Sequence, residues 1–595
     1  MFKHLFSLFT QAFGFTLKIQ QRPAVDSSHL PEHIHPVIRQ IYAHRGINHA
    51  ADIKRSTKEL LHYQQLRGVN QAVELLHQSM LAKKQIMIVG DFDADGATST
   101  AVMMRAMTMM GNANHRYLVP NRFEFGYGLS PEIVDMAIQA GAEVIITVDS
   151  GINCHAGVER AKSAGLQVII TDHHLPGKVL PVADAIVNPN QPECEFASKS
   201  LAGVGVAFYL MSALRRYLQA QDWFTQQNIP EPNLASLLDL VALGTVADVV
   251  PLDSNNRIFV HQGVQRIRAG KCCAGITALL RIAKRTQQDI DASTMGFVLG
   301  PRLNAAGRLD DMSLGIQCLL SDKPEDAIGF AIKLDELNAE RKEIESGMQK
   351  EAEAVLQNLT ALQDSSGTDT AQSMPHGIAL YDETWHQGVI GIVAGRVKDK
   401  YYRPTIVFAE QDDNTLKGSA RSIPGLHIRD LLEELHNRYP DMILKFGGHA
   451  AAAGLAIPKA QFPAFESAFA SLCQEWLAEH ELQDYVLSDG NLPDNCANID
   501  FAEQLKAAGP WGQSFPEPVF DDQFRVINRK VLHGKHLKVV LQSKQGQLLD
   551  GILFNAESHL LTQPLEYVHA AYQLDINKFR GNVSLQLMIR SLSPA

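Results

Sequence analysis

The sequence predicts an α/β protein. A parallel-sheet domain is joined by a long helix to a second, smaller α/β domain, and an all-β module follows. Three observations carry this. Apolar runs of four or five residues recur early in the chain, each ending in Asp or Gly and followed by a helical segment. A Glu-, Lys-, Ala- and Leu-rich stretch spans residues 324–362. From about Asp489 onward, short runs alternate with period two.

The early runs are IMIVGD (86–91), AEVIITVDSG (142–151), LQVIITDHH (166–174) and DAIVNP (184–189). Strands covered on both faces need apolar residues at every position, so these runs read as parallel strands of an open sheet. Ligands of such sheets sit outside the carboxyl ends of the strands. Asp91, Asp149 and Asp172 fall there. Residues 201–270 read as mainly helical, and the long helix ends in a small-residue polar linker at 363–377. The second α/β texture holds GIALYDETWHQGVIGIVAGRVKD (377–399), PTIVFAE (404–410) and KFGGHAAAAGLAI (445–457). In the last of these, a glycine turn is expected to lead into a helix of alanines. The period-two runs HLKVVLQS, LLDGILFN, VHAAYQLDIN and NVSLQLMIR suggest a small barrel or sandwich. The textures divide the chain into a helical N-terminal region (1–80), a parallel-sheet domain (81–320), a connecting helix and linker (321–370), a second α/β domain (371–475) and the β module (476–595).

At 595 residues the chain is too long for one core. No stretch approaches the ~20 apolar residues of a membrane span. The Phe-rich start, MFKHLFSLFTQAFGFTLKIQQRP, lacks a small-residue cleavage site and reads as an extension or docking helix. Seven cysteines without a CxxC pair fit free thiols in a reducing cytoplasm. The net charge of −11 excludes nucleic-acid binding by bulk electrostatics but leaves room for a local basic groove. Residues 521–595 hold nine Lys or Arg against six Asp or Glu, a mildly basic module in an acidic chain. Phe524, Phe554, Tyr572 and Phe579 there could stack bases, although alternating aromatics more often fill a core.

The segment DFDADG places Asp91, Asp93 and Asp95 directly after an apolar strand. Three carboxylates together need positive charge. A calcium EF-hand loop does not fit, because its twelfth position would be Val102 and a strand precedes it. An aspartyl nucleophile would leave the later acidic strand ends unexplained. Asp172, His173 and His174 end another strand in the same topological place. One histidine alone would more often be structural. Two beside carboxylates suit Mn²⁺ or Mg²⁺. Asp248 lies in the mostly apolar run LGTVADVVP, where a carboxylate is costly without a partner; a salt-bridged or capping Asp is the bland alternative.

The ordered set DFDADG, VDSG, TDHH and GTVADVVP resembles the DHH phosphoesterase superfamily, and most closely its single-strand-specific exonucleases. VPNRFEFGYGLSPE, SKSLAGVGVAFYLM, GPRLNAAGRLDDMS, WHQGVIGI and KFGGHAAAAG extend the resemblance over roughly residues 35–595. It implies DHH, DHHA1 and OB-fold domains and two Mn²⁺ or Mg²⁺ ions that support in-line hydrolysis of phosphodiesters. Asp93, Asp95, Asp149, His173 and Asp248 are then metal ligands, with Asp149 the bridge. Asp91 is a ligand or a nearby base, His174 faces the scissile phosphate or the second ion, and Asp172 orients a histidine.

The resemblance also marks Asn121, Arg122, Arg302, Asn304, Arg308, His386, Arg421, Gly447, Gly448 and His449 as substrate contacts. It implies a monomeric 5′→3′ exonuclease on single-stranded DNA in repair and recombination, working with single-strand-binding protein and a helicase. The alternatives are a phosphodiesterase for short oligonucleotides or cyclic dinucleotides, and a non-catalytic replication scaffold.

Overall fold

A computed structural model of the chain describes residues 17–121, 128–364, 374–480, 482–579 and 581–595. It divides into two units: Pro23–Asn338 with Glu503–Pro518, and Ala339–Ala502 with Val519–Ala595 and the N-terminal segment to Arg22.

The first unit is built on a sheet of five parallel strands: β1 (Ile86–Val89), β2 (His115–Leu118), β3 (Val144–Val148), β4 (Gln167–Thr171) and β5 (Ala185–Val187). Their spatial order is β2-β1-β3-β4-β5. β1 and β3 are buried at every position, as their apolar sequences require. The order reverses between β1 and β3, the switch point at which doubly wound sheets bind ligands. β2 is not one of the apolar runs. Its sequence HRYL is half polar because it forms a sheet edge.

Behind the sheet, helices Ala94–Met109, Gly203–Ala220, Leu238–Ala247 and Ser254–Arg268 pack on one another. Leu238–Ala247 is apolar nearly all round and correspondingly buried. Its neighbours approach closely. A Cβ at Gly263 would lie 2.2 Å from Ala242 Cβ. The helical character expected at 58–66 is broken into two tight turns, Thr57–Glu59 and Tyr63–Gln65. Ser56 Oγ and His62 Nδ1 accept from Lys58 N and Gln64 N and compete with a continuous helix.

The long helix runs Pro324–Asp364. It starts with Pro324 at its first position and Glu325 and Asp326 in its first turn, both favourable at a helix N-terminus.

In the second unit, β6 (Ile378–Tyr381), β7 (Thr405–Asp412), β8 (Thr415–Arg421), β9 (Lys445–Gly448) and β10 (Ala452–Pro458) form a mixed sheet in the order β9-β10-β8-β7-β6. Only β6 and β7 are parallel. The glycine turn and alanine helix expected at 445–457 are instead a hairpin. β10 lies between β8 and β9 and buries Ala453 and Leu455, so sheet pairing overrides the helix preference of alanine.

The C-terminal strands β11 (Phe520–Leu532), β12 (His536–Gln542), β13 (Leu548–Leu553), β14 (Tyr567–Phe579) and β15 (Asn582–Pro594) close a barrel in the order β11-β12-β13-β15-β14. Only β13 and β15 pair in parallel, which is the OB topology. Phe524 and Tyr572 fill its interior, so they are core residues rather than stacking faces, whereas Phe554 is half exposed. The Phe579 side chain lies outside the described residues. Lys18–Gln21 forms a short parallel pair with Tyr485–Ser488. The Phe-rich start, to residue 16, also lies outside the described residues. No described helix is long and apolar enough to cross a membrane.

Candidate metal centre

The end of β1 opens the site. Asp93 caps helix Ala94–Met109, its Oδ1 accepting from Gly96 N at 3.0 Å. This short-range bond turns the chain so that Asp91, Asp93 and Asp95 project from one tight loop. Asp95 is buried and accepts from Gly203 N (2.7 Å) and Val204 N (2.9 Å), at the start of helix Gly203–Ala220. Backbone donors and the helix dipole both favour a carboxylate there.

Asp149 follows β3 with φ of 60°, an uncommon conformation outside glycine. Thr147 Oγ1 donates to Ser150 O at 2.7 Å and pins the turn. Asp149 Oδ1 lies 3.1 Å from His173 Nε2, and Asp248 Oδ2 lies 3.5 Å from the same nitrogen. Asp248 ends helix Leu238–Ala247.

Asp172 is buried and organises the strand end. Its Oδ1 accepts from His173 N (2.7 Å), His174 N (3.1 Å) and His174 Nδ1 (2.7 Å). Its Oδ2 accepts from Ile152 N at 2.9 Å. Asn188 and Asn190, just after β5, donate to the backbone carbonyls of His174 and His173 at 2.9 and 2.6 Å.

Three overlapping sets of donor atoms result: Asp91, Asp93 and Asp149; Asp95, His173 and Asp248; Asp149, His173 and His174. Within each set one atom per residue lies within 4.8 Å of the others. Asp149 and His173 each belong to two sets.

Burial, then the Asp93 charge, pushes Asp95 up to about 7. Asp149 and Asp248 are likewise raised by burial and by their carboxylate neighbours. Asp172 goes the other way. Burial opposes its ionisation, but the hydrogen bond and charge of His174 outweigh it. Burial also opposes protonation of His174, yet Asp172, Asp91 and Asp93 lift it to about 8. Buried carboxylates that repel one another, joined by imidazole and by no thiol, form a donor set that fits Mn²⁺ or Mg²⁺.

Three glycines make this convergence possible. A Cβ at Gly203 would lie 2.7 Å from Asp149 Oδ1, and one at Gly244 would lie 2.1 Å from Thr98 Oγ1 and 3.0 Å from Asp95 Oδ1. One at Gly307 would lie 1.7 Å from Phe92 O. Sequence reasoning missed these glycines, together with Asn188 and Asn190. Only their places in LAGVG, LGTVA, NAAGR and VNPNQ hinted at them.

Among the expected substrate contacts, Asn304 Oδ1 accepts from Ala94 N at 2.8 Å and so braces the acidic loop. Arg302 pairs with Asp335 at 2.8 Å and donates to Val298 O at 2.6 Å. Its guanidinium is held within the first unit. Arg308 lies on the same helix, Gly300–Leu309. Asn121 follows β2, and Arg122 lies outside the described residues.

In the second unit, His386 Nδ1 accepts from Gly388 N at 3.1 Å. Arg421 ends β8, donates to Ser419 Oγ and Ala420 O, and is buried enough to lower its pKa. A Cβ at Gly391, in the first turn of helix Ile390–Tyr401, would lie 2.9 Å from its Nη2. Gly447 and Gly448 end β9, and His449 N bonds Ala452 O across the hairpin.

The switch-point sheet, the acidic centre and the barrel define a phosphoesterase of the DHH class. Residues 85–245 match the DHH family N-terminal domain, 375–475 the DHHA1 domain and 488–591 the RecJ OB domain. The chain belongs to the RecJ family. It is 53% identical over 580 residues to the single-stranded-DNA-specific exonuclease RecJ of Escherichia coli K12, covering 97% of this chain and 99% of that protein. The protein of the same name from Haemophilus influenzae is 49% identical over 94% of this chain and 96% of its own length. Among solved structures, Thermus thermophilus RecJ in complex with Mn²⁺ superimposes with a TM-score of 0.76 at 27% identity, covering 97% of this chain and 79% of that one.

Proposed function

We propose that this chain is a metal-dependent exonuclease that degrades single-stranded DNA from the 5′ end. The observation that carries the reading is the convergence of Asp91, Asp93, Asp95, Asp149, His173, His174 and Asp248 into three interlocking donor sets at one switch point. The relatives named as single-stranded-DNA-specific exonucleases, similar over nearly the whole chain, support it.

In this reading Asp91, Asp93, Asp95, Asp149, His173 and Asp248 hold two Mn²⁺ or Mg²⁺ ions. When bound, the ions neutralise the scissile phosphate and stabilise charge on the attacking and leaving oxygens. Asp149 and His173, shared between sets, couple the two positions. Asp172 fixes the ring of His174 through Nδ1 and keeps it protonated at neutral pH, so that Nε2 donates to a phosphate oxygen.

Asn121, Arg122 and Arg308 contact the strand on the first unit. Arg302 and Asn304 act through the helix they brace. In the second unit, His386, Arg421, Gly447, Gly448 and His449 bind phosphate, with Arg421 lying under the first turn of a helix, a favourable place for an anion. The basic barrel extends the grip on the strand, with Phe554 among its exposed aromatics. The reading places the enzyme in the cytoplasm, as a monomer acting in repair and recombination beside single-strand-binding protein and a helicase. Seven free thiols accord with a reducing compartment.

The test is digestion of end-labelled long single-stranded DNA, duplex DNA and a dinucleotide, with Mn²⁺ or with EDTA. Rapid Mn²⁺-dependent release of the 5′ label from the long single strand alone is expected. Preference for the dinucleotide would make the chain an oligonucleotide phosphodiesterase, and no cleavage of any substrate would make it a scaffold.

A further inference from the structure

Helix Gly300–Leu309 lines the acidic centre, with Asn304 bonded to Ala94 and Gly307 against Phe92. It is entered through a π-helical turn, Met295–Leu299. Such turns are rare and concentrate at functional sites. This one buries Met295 and Leu299 and turns Phe297 outward, 82% exposed. Among the described residues it is the most exposed of the large aromatic side chains, which offer the most apolar area to a partner.

The turn packs on the end of helix Leu238–Ala247. Cβ atoms at Gly296 and Gly300 would each lie 3.3 Å from that helix, at Val246 and Ala247. The next residues there are Asp248 and Val249. Val249 is β-branched yet has φ of 60°, and it is 62% exposed. A β-branched residue in the left-handed region is strained, and strain of this kind gathers at ligand sites. Two touching segments, one ending in the centre's own carboxylate, therefore each present an uncovered apolar side chain to solvent. Phe297 lies seven residues before Asn304, roughly 10 Å along a helix, or about three stacked nucleotides at ~3.4 Å each.

We propose that Phe297 is a stacking platform for a base of the substrate strand close to the acidic centre, with the Val249 side chain extending the apolar ledge. The inference rests on the single-strand exonuclease reading and adds to it a base contact that is independent of sequence. A flat π-face suits any base, and a single strand, unlike a duplex, can offer one. Continuity with a centre built for phosphodiesters selects a nucleobase as the occupant over an apolar protein segment.

The test is binding of a fluorescent oligothymidylate in EDTA, followed by anisotropy, with a single abasic site walked along the strand from its 5′ end. Wild type is expected to lose roughly five- to a hundredfold in affinity when the abasic site reaches one position. Phe297→Ala should lose about as much on the intact strand and nothing further at that position. Phe297→Tyr should restore binding. The exposure of Phe297 allows each variant to fold, which melting temperatures check. Wild-type affinity of Phe297→Ala for the intact strand would overturn the proposal, as would an equal further loss at every abasic position. Wild-type digestion of the same oligonucleotide with Mn²⁺ is run alongside. If wild type neither binds nor cuts, the exonuclease reading itself has failed; if it does both and Phe297→Ala matches it, only the platform has.

Discussion

Gly203 leaves no room for a side chain against Asp149: a Cβ there would lie 2.7 Å from Oδ1, while the Gly203 N–H donates to Asp95 at 2.7 Å. One residue thus sets the spacing of two carboxylates that belong to different donor sets. Gly203→Ala must move Asp149, the helix start or both. Misplacement of about 1 Å at a reacting centre costs on the order of 100-fold, so steady-state turnover on single-stranded DNA should fall by about that factor. Circular dichroism should show the fold retained.

Asp149→Ala should abolish cleavage while the chain still unfolds cooperatively. Its carboxyl is destabilised by burial and by the Asp95 and Asp93 charges, so its removal relieves repulsion in the metal-free protein. The metal-free melting temperature should therefore hold or rise, measured by calorimetry in EDTA. Near-normal turnover of the variant would show that Asp149 is not the shared ligand.

Asp172→Asn keeps the shape of the side chain but removes the charge that holds the His174 proton. His174 should then titrate below about 8, where Asp172 helps to keep it. Loss of a group that orients metal-binding histidines typically costs about 10–100-fold in metal affinity or activity. NMR titration of the imidazole and Mn²⁺ titration of the variant check the two effects separately.

The acids of the centre make stability depend on pH. Asp95 is raised from about 3.8 when unfolded to about 7 when folded, and Asp149 and Asp248 shift the same way. Between these values the folded metal-free chain binds more protons than the unfolded one. Its stability is fully present below the unfolded value and is lost as pH rises through the folded one. Metal needs the same groups deprotonated, so its stabilisation grows in the opposite direction. The rise in melting temperature on adding Mn²⁺ should be larger at about pH 8 than at about pH 5.5, by scanning fluorimetry. An equal rise at both would contradict the coupling.

What could be read in advance followed from where burial constrains sequence. β1 and β3 are covered on both faces and spell themselves out in apolar letters, so the acids at their ends stood out. β2 lacks such a run, because an edge strand such as HRYL carries no such constraint. The hairpin at Lys445–Gly448 and Ala452–Pro458 is hidden in the sequence because alanine prefers helices and nothing local reveals that β8 pairs alongside. The close approaches at Gly203, Gly244 and Gly307 are set by atoms more than forty residues away, as is the bond from Ala94 to Asn304. Side-chain chemistry was legible; the spacing that brings it together was not.

The four-residue strand Lys18–Gln21 has its partner at Tyr485–Ser488, and Gln21 donates to Asp521 of the barrel. A ribosome adding about 5–20 residues per second delivers the first of these segments roughly half a minute to a minute and a half before the second. For that interval the strand's hydrogen-bonding edge is open to the wrong neighbour. Messages truncated before Tyr485 should yield a product whose leading strand never finds its mate, and rejoining that strand to the far end of the chain would remove the wait.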